Sequence, residues 1–257
     1  MKNFLRSYAP GWVKVISKKA LFRVYQATEA FYRLPVDKYD FQTTQLIRKH
    51  LKKDSNCIDI GANLGHILME IVKAAPKGKH LAFEPIPDLY TSLKKKFSKN
   101  TTVYNIALST QKGNATFNYY PGRPAVSGFR ERNKWVKQEP VLLSVQMERL
   151  DDLVAEDLKI DLIKIDVEGA EYEVLQGAKK TLKNNKPLVL FECGLGGADV
   201  YGTTPDQVFD LFMECGLGVS TIEYFNAGKQ PFSKEEFSGQ FYKNYNFFFI
   251  AYDPTKY

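Results

Sequence analysis

The sequence contains no apolar run approaching the roughly 18 residues that a membrane-spanning helix needs. Its first apolar stretch, residues 12–16, is broken by Lys14 and followed by Lys18 and Lys19, and is too short for a secretory core. Cysteine is scarce. Cys57, Cys193 and Cys215 are odd in number, far apart, and each set in an apolar run. A disulfide framework and a zinc cluster are therefore not expected; buried thiols in a reducing, cytoplasmic compartment are. The three histidines, His50, His66 and His80, lack the spacing of a metal triad. There is no serine nucleophile elbow, no lysine-bearing phosphate loop and no repeat of fixed period.

What is present is ordinary globular composition: 257 residues, 44% hydrophobic, 25% charged and 14% aromatic. That excludes a disordered or collagen-like chain and is enough for one sizeable core. Lys and Arg outnumber Asp and Glu by 36 to 29, a net charge of +7, which favours anionic neighbours such as nucleic acid, an acidic membrane surface or an acidic glycan. Residues 1–34 carry seven basic residues and one acid, Glu29, interleaved with Phe4, Trp12, Ile16, Phe22 and Tyr25. This pattern predicts a basic helical extension, residues 1–44, packed as a cap on a main domain of residues 45–257. Peripheral contact with a membrane surface is the second reading.

From residue 56 onward, strand-like and helix-like segments alternate. Residues 56–60, 79–84, 102–108, 161–166, 187–193 and 247–252 read as strands, several of them nearly continuous apolar runs that suit parallel strands covered on both faces. Residues 64–75, 87–98 and 169–182, and a segment opened by Thr204-Pro205-Asp206 and closed by Gly216, read as helices. The alternation predicts an open, mostly parallel α/β sheet with right-handed crossovers. Residues 109–139 read as a mobile basic insertion holding Arg123, Arg130, Arg132, Lys134 and Lys137, followed by a strand over 140–147; residues 228–239 read as a second loop.

Two motifs carry the chemistry. The first is Asp59-Ile60-Gly61-Ala62-Asn63-Leu64-Gly65, a strand-to-helix turn in which Gly61 allows the turn and Gly65 a close backbone approach. The spacing is not that of a dinucleotide fingerprint, which disfavours a nicotinamide dehydrogenase. An acid at the strand end is poor company for pyrophosphate and good company for an amino group. Glu84, ending the next strand, is placed to take both hydroxyls of a ribose. A ligand with a ribose, a cationic amine and no phosphate fits S-adenosylmethionine. Asn105 and Ala107, ending the third strand, are expected beside the adenine. The second motif is Lys164-Ile165-Asp166-Val167-Glu168-Gly169-Ala170-Glu171, with Glu192 at the end of the following strand. Asp166 and Glu192 side by side can bind a cation or act as a base. Glu168 and Glu171 suit a helix N-terminus, and Lys164 suits a neutralising role. His66 follows the glycine loop, where it can face a ligand or cap the helix.

At these residues, and at Phe83-Glu84-Pro85, Asn105-Ile106-Ala107-Leu108, Arg149-Leu150-Asp151-Asp152-Leu153 and Leu190-Phe191-Glu192, the chain resembles the FkbM-type methyltransferases, a branch of the class I S-adenosylmethionine-dependent enzymes. The resemblance covers about residues 45–252. It implies a Rossmann-like, seven-stranded, mostly parallel sheet with helices on both faces and the last strand antiparallel. It also implies methyl transfer, usually to a hydroxyl of a sugar, glycan, polyketide or similar metabolite. Carried over, Asp59, Gly61, Asn63, Gly65 and Glu84 hold the cofactor, while Asp166 and Glu192 flank the transferred methyl group. Asp166, Glu192 or His66 then serves as general base. Some related O-methyltransferases use a divalent cation, for which this sequence shows no full ligand set. The basic insertion suggests an anionic or phosphorylated acceptor. RNA methylation is the main rival, but the sequence has no Asn/Asp-Pro-Pro-Tyr/Phe stretch and no Pro-Cys pair. A non-catalytic binding module is the other, and the intact acids speak against it.

Overall fold

The computed structural model of the chain describes residues 38–131 and 139–257. The basic segment 1–34 and three cations of the expected insertion, Arg132, Lys134 and Lys137, lie outside the described residues. Helix α1 (Lys38–His50) opens the described chain, so a domain boundary at residues 44 and 45 would cut a helix in its middle. There follow β1 (Cys57–Ile60), α2 (His66–Ala74), β2 (His80–Phe83), α3 (Pro87–Lys96) and β3 (Thr101–Tyr104). The second half holds β7 (Leu162–Ile165), α4 (Glu171–Gln176), α5 (Lys179–Asn185), β8 (Leu188–Glu192), α6 (Pro205–Glu214), β9 (Gly218–Ser220), α7 (Ile222–Asn226), α8 (Lys234–Tyr242) and β10 (Phe248–Tyr252). These form a seven-stranded sheet in the order β3-β2-β1-β7-β8-β10-β9. Strands β1, β2, β3, β7 and β8 pair in parallel, and β10 runs antiparallel to both β8 and β9. The expected mostly parallel sheet with an antiparallel last strand is what the chain adopts.

Successive residues of the central strands enter two different cores. Ile58, Ile60, Ile163, Ile165, Val189, Phe191, Phe249 and Ala251 point into the larger one, closed by α4, α5, α6 and α8. Cys57, Leu162, Leu188, Leu190, Ile250 and Tyr252 point into the other, against Leu46 and Ile47 of α1, Ile71 of α2, and Ile222 and Phe225 of α7. This period-two division is why the strands read as unbroken apolar runs. Among the described residues, no helix is long and apolar enough to cross a membrane.

Four local expectations are corrected. The strand expected over 102–108 is two strands: β3 ends at Tyr104, and β4 (Ala107–Leu108) leaves the main sheet to pair with β6 (Val141–Glu148). The segment taken for a mobile loop contains β5 (Gly113–Tyr119), which pairs with β6 over seven residues and completes a three-stranded sheet. Its inward side chains, Phe117 and Tyr119, cover Ile86 and Leu89; two buried aromatics in a polar stretch are too faint a period to read. The helix expected over 169–182 breaks at Gly177, where a Cβ would stand 2.1 Å from the Ser109 carbonyl oxygen. The loop expected over 228–239 gives way to α8 at Lys234, where Ser233 and Glu236 form a reciprocal cap.

Phe191 is fully buried and its ring lies 4.8 Å from Phe212 and 5.9 Å from Phe249. Phe191→Ala is expected to lower the unfolding free energy by about 3–5 kcal/mol, read from urea denaturation. Leu142→Ala, at an exposed position on β6, is expected to change it by less than about 0.5 kcal/mol.

Candidate active site

Strands β1 and β7 lie side by side in the sheet, yet the chain leaves them toward opposite edges. In an open α/β sheet this reversal opens a crevice beyond the carboxyl ends of the strands. A cavity of about 420 Å³ occupies that place. It is lined by Asp59, Gly61, Asn63, Glu84, Ala107, Asp166, Glu192 and His66 among others, so most of the residues singled out in the sequence share one wall.

The glycine turn is held from three sides. Gly61 and Ala62 both donate N–H to the Phe83 carbonyl at 3.0 and 3.1 Å, which ties the turn to β2. Gly61 has φ +74°, and a Cβ there would meet the Asp166 carbonyl oxygen at 1.9 Å. The glycine is required by the neighbouring strand as well as by the turn. Gly65 differs from its expected role: it does not line the cavity, and a Cβ on it would strike Leu93 and Phe97 at 2.6 Å. Its close approach is to helix α3. Asn63, at φ 48°, donates its backbone N–H to Glu84 Oε2 at 2.8 Å, and the Ile86 N–H donates to Oε1 at 2.9 Å. Burial pushes the Glu84 carboxyl up to about 7, against the pull of those two N–H groups. Asn105 also departs from expectation: its side-chain amide donates to the carbonyls of Glu84 and Pro85 at 2.9 and 3.0 Å and stays out of the cavity wall.

Under the turn lies Lys164, facing Asp59 across the β1–β7 register. Its Nζ donates to the Gly61 carbonyl at 2.8 Å and stands 3.5 Å from both Asp59 Oδ1 and Asp166 Oδ2. Burial works against its charge, but Asp166 and Asp59 more than offset this and hold the ammonium above the usual lysine range. The lysine does more than neutralise a neighbour, since it also fixes the turn. Asp59 is buried, which pushes its carboxyl up, with Lys164 offsetting part of the shift. Neither of its oxygens has a partner at hydrogen-bond geometry among the described residues.

The second motif closes the crevice. Asp166, Glu171 and Glu192 each bring a carboxylate oxygen within 4.8 Å of the others. The expected Asp166–Glu192 pair is therefore present, and Glu171, read from sequence as a helix-end acid, joins it. Glu171 Oε1 accepts the Val167 and Gly169 N–H groups at 2.9 and 3.2 Å, and burial pushes its carboxyl up to about 7. The loop between holds Glu168 at φ 63°, a left-handed conformation that costs a non-glycine residue about 1–2 kcal/mol and turns it to the cavity. His66 occupies the first turn of α2 and lines the cavity; the cap position belongs to Gly65. The remaining wall was not legible in the sequence. Tyr39 and Thr43 come from α1, Phe117, Pro124 and Phe129 from around the small sheet, and Phe247 and Phe248 from the start of the last strand and the residue before it.

Lys164→Met leaves buried Asp59 without its cation and is expected to cost about 3–5 kcal/mol of stability, measured by denaturant unfolding. Glu171 ionises in the folded chain near pH 7 but near its ordinary 4.5 when unfolded. Its contribution is complete below pH 4.5, declines as the pH rises through about 7 and then levels. Wild type is expected to lose stability against Glu171→Gln over that window, a difference that unfolding curves at stepped pH will read.

A profile described as the methyltransferase FkbM domain matches residues 59–216, more than half of the chain. Methyltransferase sdnD of Sordaria araneosa is 31% identical over 152 residues, which cover 47% of this chain and 59% of that protein. The match thus spans little more than half the length of that relative. 2-O-methyltransferase NoeI of Sinorhizobium fredii is 28% identical over 158 residues, covering 55% of this chain and 65% of that one. Hexuronic acid methyltransferase AglP of Haloferax volcanii is 26% identical over 197 residues, covering 75% and 78%. With the motif residues of the matched region gathered in one crevice, the chain belongs to the FkbM methyltransferase family.

Proposed function

We propose that the chain is an S-adenosylmethionine-dependent O-methyltransferase acting on a hydroxyl of a sugar or glycan. The observation that carries this reading is the charge of the cavity. Among the described residues its wall holds Asp40, Asp59, Glu84, Asp166, Glu168 and Glu192 against one lysine, Lys164, in a chain whose net charge is +7. Such a wall repels phosphate and attracts a cationic ligand.

The residues fit that cofactor. Asp59, ion-paired with Lys164 through Oδ1, has two oxygens without a hydrogen bond among the described residues to offer an ammonium group. Each Glu84 oxygen accepts one backbone N–H and keeps a lone pair for a ribose hydroxyl. Ile86, Leu89, Ala107 and Phe117 supply an apolar wall for a purine ring. When bound, S-adenosylmethionine supplies an electrophilic methyl carbon. The protein's part is to hold an acceptor oxygen in line with it and remove the oxygen's proton. Asp166 and Glu192 stand at adjoining strand tips for this, with His66 on the α2 side. Holding the reacting atoms in line supplies much of the rate.

The acceptor end supports a sugar. Phe247 is 39% exposed and lines the cavity, its ring 4.6 Å from Tyr39. The next residue, Phe248, pairs with Glu192. An aromatic face beside carboxylates suits a ring with an apolar C–H face and hydroxyl edges. The names of NoeI and AglP agree with this class of acceptor. The expected anionic acceptor rested on the basic segment 123–137. Of the described residues of that segment, Pro124, Ala125, Ser127 and Phe129 reach the cavity, while Arg130 donates to the Val200 carbonyl at 2.8 Å. The acid-rich wall among the described residues suits a polyphosphate backbone poorly.

The test is calorimetric binding of S-adenosylmethionine, followed by mass spectrometry of neutral and uronic sugars incubated with protein and labelled cofactor. A singly methylated sugar is the expected product. Asp166→Asn and Glu192→Gln are expected to retain cofactor binding, and the variant lacking the base to lose about 10²–10⁴-fold in kcat. Absent cofactor binding would overturn the reading. Full turnover in both variants would move the base to His66.

A further inference from the structure

Helix α1 precedes the region that the family profile matches, yet it covers the face of the sheet from which Asp59 and Lys164 project. Cys57 and Leu162, two residues before each, enter the same core as Leu46 and Ile47 of α1. Those two aliphatic side chains are fully buried and anchor the helix. One turn earlier on the helix stands Thr43, 2% exposed, in the wall of the cavity. Its Oγ1 has no hydrogen-bond partner among the described residues. A threonine inside a helix ordinarily returns its hydroxyl to the carbonyl four residues back. Here that bond is absent, and a buried hydroxyl left without a partner is costly. Among the described residues, Thr43 Oγ1 and both Asp59 oxygens are thus buried polar atoms of one cavity wall without a hydrogen bond, Asp59 keeping only its longer ion pair with Lys164.

We propose that Thr43 binds the amino-acid end of the cofactor, so that α1 completes a site the matched domain leaves open. The proposal rests on the S-adenosylmethionine reading above. That end of the ligand is a zwitterion. Asp59 accepts hydrogen bonds from its ammonium group, and the Thr43 hydroxyl donates one to its carboxylate. In an acid-lined wall a neutral donor is what a carboxylate needs, since it adds a hydrogen bond without competing for Lys164.

The test compares two ligands by titration calorimetry on the full chain. S-adenosylhomocysteine carries the amino-acid end; 5′-methylthioadenosine lacks it. Thr43→Val keeps the shape and removes the hydroxyl. It is expected to weaken S-adenosylhomocysteine about tenfold, the effect of one hydrogen bond to a charged group, and to leave methylthioadenosine unchanged. Thr43→Ser is expected to restore the wild-type affinity. Unchanged S-adenosylhomocysteine affinity in Thr43→Val overturns the assignment, and so does equal weakening of both ligands, which marks a packing role. Failure of the wild type to bind either ligand overturns the cofactor reading and this inference with it.

Discussion

The arrangement depends on one buried ammonium group. Lys164 sits at the junction of β1 and β7 with Asp59 on one side, Asp166 on the other and the Gly61 carbonyl above it. Without that cation, two acids would face each other at the sheet's switch point and the glycine turn would lose its support. With it, the crevice keeps a fixed shape and a surplus of negative charge. Burial normally works against a lysine, so the site is stable because two carboxylates share one positive partner in a dry place.

That surplus explains a contrast within the molecule. The chain as a whole is basic, while its cavity is acidic. The excess of lysine and arginine falls in residues 1–37 and 132–138, which lie outside the described residues. The groups inside the crevice act at contact distance and decide what enters. Glu84 in its wall, and Glu171 beside Asp166 and Glu192, also serve as acceptors for backbone N–H groups in the two loops that meet there. The same carboxylates that shape the loops thereby set the electrostatics of the cavity.

The site is also a joint product of distant segments. The matched region provides the strand tips and both loops. Helix α1 before it, and Phe247 and Phe248 after it, provide walls. Tyr39 packs on Phe247 at 4.6 Å and its hydroxyl donates to Asn246 Oδ1 at 3.3 Å, so segments near the two ends of the described chain brace each other along one side of the cavity. The small sheet closes the opposite side through Phe117 and Phe129, whose rings meet edge to face.

The sequence by itself determined the layered α/β architecture, because period-two burial on both faces forces unbroken apolar strands. It also singled out Asp59, Glu84, Asp166 and Glu192, which the fold gathers in one cavity wall, because acids ending apolar strands have few other places to go. Gly65 and Asn105 were legible as important but not in what they do: one accommodates helix α3 and the other holds two carbonyls. Their partners lie across a turn that spacing along the chain does not measure. Only the tertiary structure decided that β5 is a strand, that Lys164 bridges two acids, that Glu171 joins the carboxylate cluster, and that Thr43 faces the same crevice as Asp59. Each of these depends on which residues from separate segments meet in space, and the periodicity of one segment carries no record of the other.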